Sequence, residues 1–233
     1  MKIFKKIILL VIIVFFVICA IIGVQGYSIY HDAIEETPLS DMIEEKRSDP
    51  NYATLDELPD YYKEAVVSVE DRRFYEHSAI DIRSIGRAIV TNIKEWDLVE
   101  GGSTITQQLA KNLYFTQRPE ATRKVAEIIM AFQLEDHYSK DEILELYINT
   151  CYFGDGYYGI KEAANGYYDK EPKDLTLNEA TLLAGVPNAP SVYAPTQNPD
   201  LAKKRQAHVL KSMVTNGYLS QEEADNILNS EIE

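Results

Sequence analysis

The stretch Glu70-Asp71-Arg72-Arg73-Phe74-Tyr75-Glu76-His77 packs three acids, two permanent cations and a histidine around two aromatic rings, directly after the apolar run Ala65-Val66-Val67-Ser68-Val69. Charge this dense at the edge of a core points to a functional task. The same eight residues could also form a solvated helix end with local ion pairs of little energetic weight. The segments downstream separate the two readings.

The second constellation is Gly101-Gly102-Ser103-Thr104-Ile105-Thr106-Gln107-Gln108-Leu109-Ala110-Lys111-Asn112. Two glycines permit a close backbone approach, and Ser103 or Thr104 can cap a helix defined by Ile105, Leu109 and Leu113. Backbone N–H groups at such a start suit an anion, and Gln107 and Lys111, one turn apart, share a face with it. Between Gly101 and Ala126 the cations are Lys111, Arg118, Arg123 and Lys124 and the only acid is Glu120, a local charge of +3 in a chain whose total is -14. That overall charge would repel nucleic acid, so an anionic ligand needs this local patch. Arg and Lys clustered beside a helix start suit a phosphate or diphosphate. Glu127 lies about a turn from Arg123 and Lys124; it is either an intrahelical ion-pair partner or the acid that orients cations gripping a phosphate.

These groups need elements to hold them. Thr54, with Glu57 three residues on, has the spacing of a capping box, and Tyr62, Ala65, Val66 and Val69 recur at helical intervals, so a helix delivers Glu70 at its C-terminal end. A second helix buries Val125, Ile128, Ile129 and Phe132. Ser139 caps a third that ends in the tyrosine-rich, glycine-punctuated loop from Cys151 to Gly159. Further helices are expected over 160–168, 177–184, 201–216 and 221–228. Strand signals are weak throughout, so the fold is mostly α. Residues 80–99 carry Ile85, Ile89, Val90, Ile93, Trp96 and Leu98, read first as core and second as a shallow membrane contact.

Residues 7–24 are an unbroken apolar run after Lys2, Lys5 and Lys6. That is close to the length needed to span a bilayer, and the lysine bias places the N-terminus in the cytoplasm. The expected organisation is a cytoplasmic N-terminus (1–6), a transmembrane helix (7–24), a polar juxtamembrane stalk or loosely packed helix (25–50) and one extracytoplasmic domain (51–233). Cys19 lies in the apolar run, so Cys151 has no disulfide partner within the domain.

The blocks Glu70 to His77, Gly101 to Asn112, Arg123-Lys124 with Glu127, Ile143 to Gly154, and Glu179 to Ser191, in this order, resemble the glycosyltransferase domain that polymerises peptidoglycan. That domain occurs alone in monofunctional transglycosylases and at the N-terminus of bifunctional penicillin-binding proteins. The resemblance covers about Leu55 to the C-terminus. With no transpeptidase-like sequence following, it points to the monofunctional type. It implies a lysozyme-like α-helical fold with a membrane-facing subdomain around 80–99. Lipid II and the growing glycan would be substrates, the β-1,4-linked product forming with inversion, and other cell-wall synthesis proteins would be potential partners. On this resemblance Glu70 is the general base and Glu127 a second catalytic acid at the donor diphosphate. Ser103, Gln107, Lys111, Arg118, Arg123 and Lys124 would bind substrate, while Asp71, Arg72, Phe74, His77 and Asn112 would be structural members of the motifs. Pro119 stands where the family often has arginine, with Arg118 one place early, and Ala126 stands at a frequently basic position. Magnesium or manganese could assist the diphosphate, although no dedicated ligand cluster is visible. A lysozyme-like, glycan-cleaving enzyme is the alternative, since it too uses a glutamate on a helical scaffold.

Overall fold

The computed structural model describes residues 2–95, 101–115 and 121–229. Among them the architecture is helical, with an isolated antiparallel bridge between Tyr152 and Tyr158 and no longer strand. The helices are α1 (Lys2–Glu36), α2 (Leu39–Arg47), α3 (Asp60–Glu70), α4 (Ile82–Glu95), α5 (Ile105–Tyr114), α6 (Ala121–His137), α7 (Lys140–Thr150), α8 (Gly159–Tyr168), α9 (Leu177–Gly185), α10 (Pro190–Tyr193), α11 (Pro199–Asn216) and α12 (Gln221–Asn229). The mostly α expectation is therefore met.

α3 is the central element because it is covered by both α9 and α11. Its Tyr62, Ala65 and Val66 are buried as the periodicity predicts, and Val67 and Ser68 are buried too, since a second helix closes over them. The capping box at Thr54 and Glu57 is present, but it starts a separate short 3-10 turn, Leu55–Glu57. Pro59 then forces Leu58 out of the helical region and opens α3 afresh. α5 packs on both α6 and α7, so the Gly101–Asn112 constellation and the α6 cations lie on adjoining helices.

Three expectations require correction. Residues 25–50 are not a stalk: α1 continues to Glu36 and lies along α6, and α2 packs on α7. A Cβ at Gly26 would stand 2.5 Å from Val125 Cβ and 2.7 Å from the Thr122 carbonyl oxygen, so glycine is what lets α1 and α6 touch. Tyr30 and Ile43 are buried, and Arg47 reaches Glu142 at 2.9 Å. On α6, the buried face is Ala126, Glu127, Met130, Ala131 and Leu134 rather than Val125, Ile128, Ile129 and Phe132. The expected stripe lies partly beneath α1, and Phe132 is exposed. Finally, α4 is not a core helix. Ile82, Ile85, Ile89, Val90 and Ile93 are exposed and only Ala88 is buried, leaving one long apolar face open. Trp96, Leu98 and Val99 lie outside the described residues.

From Phe4 to Val24, α1 exposes its apolar side chains and is long and apolar enough to cross a membrane.

Candidate active site

Glu70 ends α3 with its side chain only 8% exposed, bridging two walls of a cleft. Its Oε2 accepts from Gln108 Nε2 of α5 at 2.9 Å, and its Oε1 accepts from Arg205 Nη2 of α11 at 3.1 Å. Gln108 is itself oriented by Tyr147, whose hydroxyl donates to Gln108 Oε1 at 3.3 Å. The carboxylate retains a lone pair on each oxygen, so it can still accept a proton from a group in the cleft.

The next residue fastens the site to its scaffold. Asp71 is buried; its Oδ2 accepts from the Ile105 backbone N–H at 3.1 Å and its Oδ1 meets His77 Nε2 at 2.8 Å. Burial pushes the Asp71 carboxyl above the usual carboxylate range, and the His77 contact offsets part of that rise. Thr104 caps α5, accepting from Gln107 N at 3.2 Å and donating to the Ala79 carbonyl at 2.8 Å. The anion at the α5 start is therefore the protein's own Asp71. Of the N–H groups expected to suit a ligand, those of Ile105 and Gln107 are already held, by Asp71 and Thr104.

The rest of the first motif is structural in its contacts, apart from Arg72, which is exposed and lines the cleft. Phe74 is fully buried with the Lys140 ammonium 4.4 Å above its ring centre. Arg73 forks onto Asp81, which also accepts from Ser84 Oγ. Burial alone would raise the Asp81 carboxyl, but Arg73 and Ser84 hold it well below the usual range.

On the opposite wall Glu127 is buried and accepts from Arg123 through Oε1 and from Lys124 at 3.1 Å through Oε2. Lys124 Nζ also donates to Ser103 Oγ at 2.8 Å. Glu127 is thus both an intrahelical partner and the acid that fixes two cations over the Gly101–Ser103 turn. Gln107 is buried, lines the cleft, and its Oε1 has no hydrogen-bond partner among the described residues. Lys111 lines the same wall. Asn112 does not line the cleft; its Nδ2 lies 3.9 Å from Cys151 Sγ. Arg118 lies outside the described residues.

The cleft these groups enclose has a volume of about 820 Å³ and is lined by seven Lys and Arg side chains and four acids. Each of those acids, Glu70, Asp71, Asp81 and Glu127, already accepts hydrogen bonds from protein donors. Asp71, His77 and Asp81 come close enough to bracket a metal ion, but Arg73 lies across Asp81 and the Ile105 N–H occupies Asp71. In this cluster Asp71 and Asp81 therefore already serve protein donors, so these three residues do not fit a magnesium or manganese ion.

Gln108, Arg87 and the α11 residues Arg205, His208, Lys211 and Ser212 also line the cleft and were not singled out from sequence. Arg205, His208 and Ser212 recur at helical spacing on the face opposite Gln206, Val209, Leu210 and Met213, a polar stripe that periodicity could have found.

Comparison with known proteins places the chain. The family model described as Transglycosylase matches residues 35–214. Penicillin-binding protein 1F of Bacillus subtilis (strain 168) is 49% identical over 171 residues, covering 73% of this chain and 24% of that protein. Penicillin-binding protein 1A of Neisseria flavescens is 42% identical over 181 residues, covering 78% of this chain and 23% of that protein. The chain therefore spans about a quarter of the length of these relatives. A crystal structure of penicillin-binding protein 1A from Haemophilus influenzae aligns with 55% of this chain and 16% of its own, at 28% identity and a TM-score of 0.38. With the family model extending over most of the domain that carries the cleft, the chain belongs to the transglycosylase family.

Proposed function

We propose that this chain is a membrane-anchored peptidoglycan glycosyltransferase that polymerises lipid II into β-1,4-linked glycan. The observation that carries the reading is the position of Glu70, a buried carboxylate spanning a cleft whose α5–α6 wall presents Lys111, Arg123 and Lys124. In the reaction the acceptor's 4-hydroxyl attacks C1 of the donor sugar from the face opposite the diphosphate. The proton passes to Glu70 as the new C–O bond forms, and the C1–O bond to phosphate breaks with its electron pair leaving on the diphosphate. The configuration at C1 inverts. Ser103, Lys111, Arg123 and Lys124 face the departing charge, and electrostatic stabilisation of this kind is commonly the largest catalytic contribution. Gln107 Oε1 supplies an acceptor for a donor group of the substrate. Glu127 serves by holding Arg123 and Lys124 in place.

In the same reading α1 anchors the protein with its N-terminus in the cytoplasm, and the open apolar face of α4 rests in the outer surface of the same bilayer. That arrangement brings the cleft to a substrate whose lipid tail stays in the membrane. Other cell-wall synthesis proteins remain candidate partners, with no surface here assigned to them.

The test is polymerisation of purified lipid II by the full chain in detergent or liposomes, beside Glu70→Gln. The wild type is expected to consume lipid II and form long strands, and the variant to lose roughly 10²–10⁴-fold in rate, the usual contribution of a general base. Shortening of finished glycan without lipid II consumption would replace this reading with a hydrolytic one.

A further inference from the structure

Arg205 stands 135 residues from Glu70 in sequence, yet its Nη2 donates to Glu70 Oε1 at 3.1 Å. The guanidinium is not a loose surface group. Its Nε donates to the Gly185 carbonyl at 3.2 Å, its carbon lies 6.0 Å from the centre of the Tyr193 ring, and its side chain is 13% exposed. The seat is made for it by a missing side chain: a Cβ on Gly185 would stand 2.9 Å from Arg205 Cγ and 3.3 Å from Val209 Cγ2. Glycine at the end of α9 therefore lets α11 approach until Arg205 can reach past it to the carboxylate.

Glu70 is the last residue of α3, and the backbone leaves the helix at Asp71, whose N–H donates to the Val67 carbonyl. Without partners its side chain could turn toward either wall. Gln108 fixes one oxygen from α5 and Arg205 fixes the other from α11. With both in place the carboxylate is tied to two walls of the cleft it lines.

We propose that Arg205, seated by Gly185 and Tyr193, is a positioning residue for Glu70: it sets the orientation of the base and does not bind the donor diphosphate. The inference rests on the reading of Glu70 as the base. It assigns the C-terminal part of the domain a share in the chemistry, through a contact that no motif around Glu70 announces. A guanidinium is required because one planar group must donate through Nε to the carbonyl and through Nη2 to the carboxylate at once, which a lysine ammonium on its flexible stem does not reproduce.

The experiment compares the full-length wild type, Arg205→Ala, Arg205→Lys, Gly185→Ala and Glu70→Gln in lipid II polymerisation, with circular dichroism and thermal melting to confirm folding. Arg205→Ala is expected to lower kcat roughly 10- to 100-fold, the scale of a catalytic group displaced by about 1 Å, with KM for lipid II within about twofold of wild type. Millimolar guanidinium or ethylguanidinium should restore part of the lost kcat, a rescue that a purely structural role would not show. Gly185→Ala, which keeps the arginine but pushes it off its seat, should lower kcat in the same direction, and Arg205→Lys should stay close to Arg205→Ala. Combining Arg205→Ala with Glu70→Gln should cost no more than Glu70→Gln alone. Wild-type kcat in Arg205→Ala, or a loss carried wholly by KM, would overturn the inference while Glu70→Gln stays impaired; full activity of Glu70→Gln would instead remove the reading of Glu70 on which it rests. If Arg205→Ala does not fold, wild-type kcat in a folded Gly185→Ala overturns the proposal.

Discussion

Replacing Glu127 by glutamine keeps the shape of the side chain and deletes its charge. The Glu127 carboxylate is 3% exposed and accepts from Arg123 and Lys124, whose side chains are 17% and 41% exposed. The amide oxygen can accept from one cation, but the NH2 group must then face the other. A hydrogen bond to a charged group contributes ~1.5–3 kcal/mol, and the largely shielded Arg123 bond falls near the middle of that range. The Lys124 pair is open to water and contributes ~0.5 kcal/mol. Together the substitution should cost about 2–3 kcal/mol, which for a domain of this size is a fall in Tm of roughly 5–10 °C. In the polymerisation assay the freed cations should bind the donor less well, raising KM about tenfold, equivalent to ~1.4 kcal/mol, with a smaller change in kcat. Scanning fluorimetry and initial rates across a lipid II titration measure both. An unchanged Tm and KM with kcat reduced more than a hundredfold would refute this reasoning and make Glu127 a group that acts on the reacting atoms.

Three further outcomes follow from the fold. Ile89→Glu with Ile93→Glu on the open face of α4 should reduce flotation of the α1-deleted chain with anionic or neutral vesicles while leaving its melting temperature within the ~0.5 kcal/mol typical of surface changes, since both side chains are exposed. Gly26→Val should destabilise the α1–α6 contact by ~1–3 kcal/mol, the range for overpacking, because its Cβ would stand 2.5 Å from Val125 Cβ, and denaturant titration of the full chain should register the loss. Asp81 is an acid whose carboxyl is held below its ordinary value, so its pairing with Arg73 contributes stability above the unfolded-state pKa of ~3.9 and loses it as pH falls further. Asp81→Asn should therefore be less stable than wild type near neutral pH, since it removes the charge that Arg73 and Ser84 hold. That gap should narrow progressively below about pH 4; a gap that stays constant down to pH 2 would show the pair to be inert.

The parts of the site legible in the sequence are those written in local spacing or local charge. The apolar stripe of α3 delivers Glu70 at a helix end, and the surplus of cations around Lys111, Arg123 and Lys124 stands out against a strongly acidic chain. α6 was misread because it carries two stripes at helical spacing, one under α1 and one against α5, and periodicity alone does not say which is the deeper. Residues 25–50 looked like a stalk because they are polar and acid-rich, yet a glycine at 26 and a few apolar positions such as Tyr30 and Ile43 suffice to dock them. For α4 the sequence leaves core packing and a shallow membrane contact both open, because an amphipathic helix signals a surface to be covered, whether by protein or by lipid.

The assignment of base among neighbouring acids is a problem of partners, and partners are the part of a site that chain order hides. Glu70 and Asp71 are adjacent and both buried at the side chain, but Asp71 faces inward to a backbone N–H and a histidine, and its rise in pKa reflects burial in the scaffold. Glu70 faces the cleft, and its two partners come from helices 38 and 135 residues away. Those partners use one lone pair on each oxygen, so a hydroxyl can approach without displacing either. The same partner accounting applies to the cleft as a whole. All four of its acids already accept from protein donors, so a diphosphate meets seven cations against four paired acids. On this reading the protein's contribution to the leaving group is the paired, pre-oriented cations themselves.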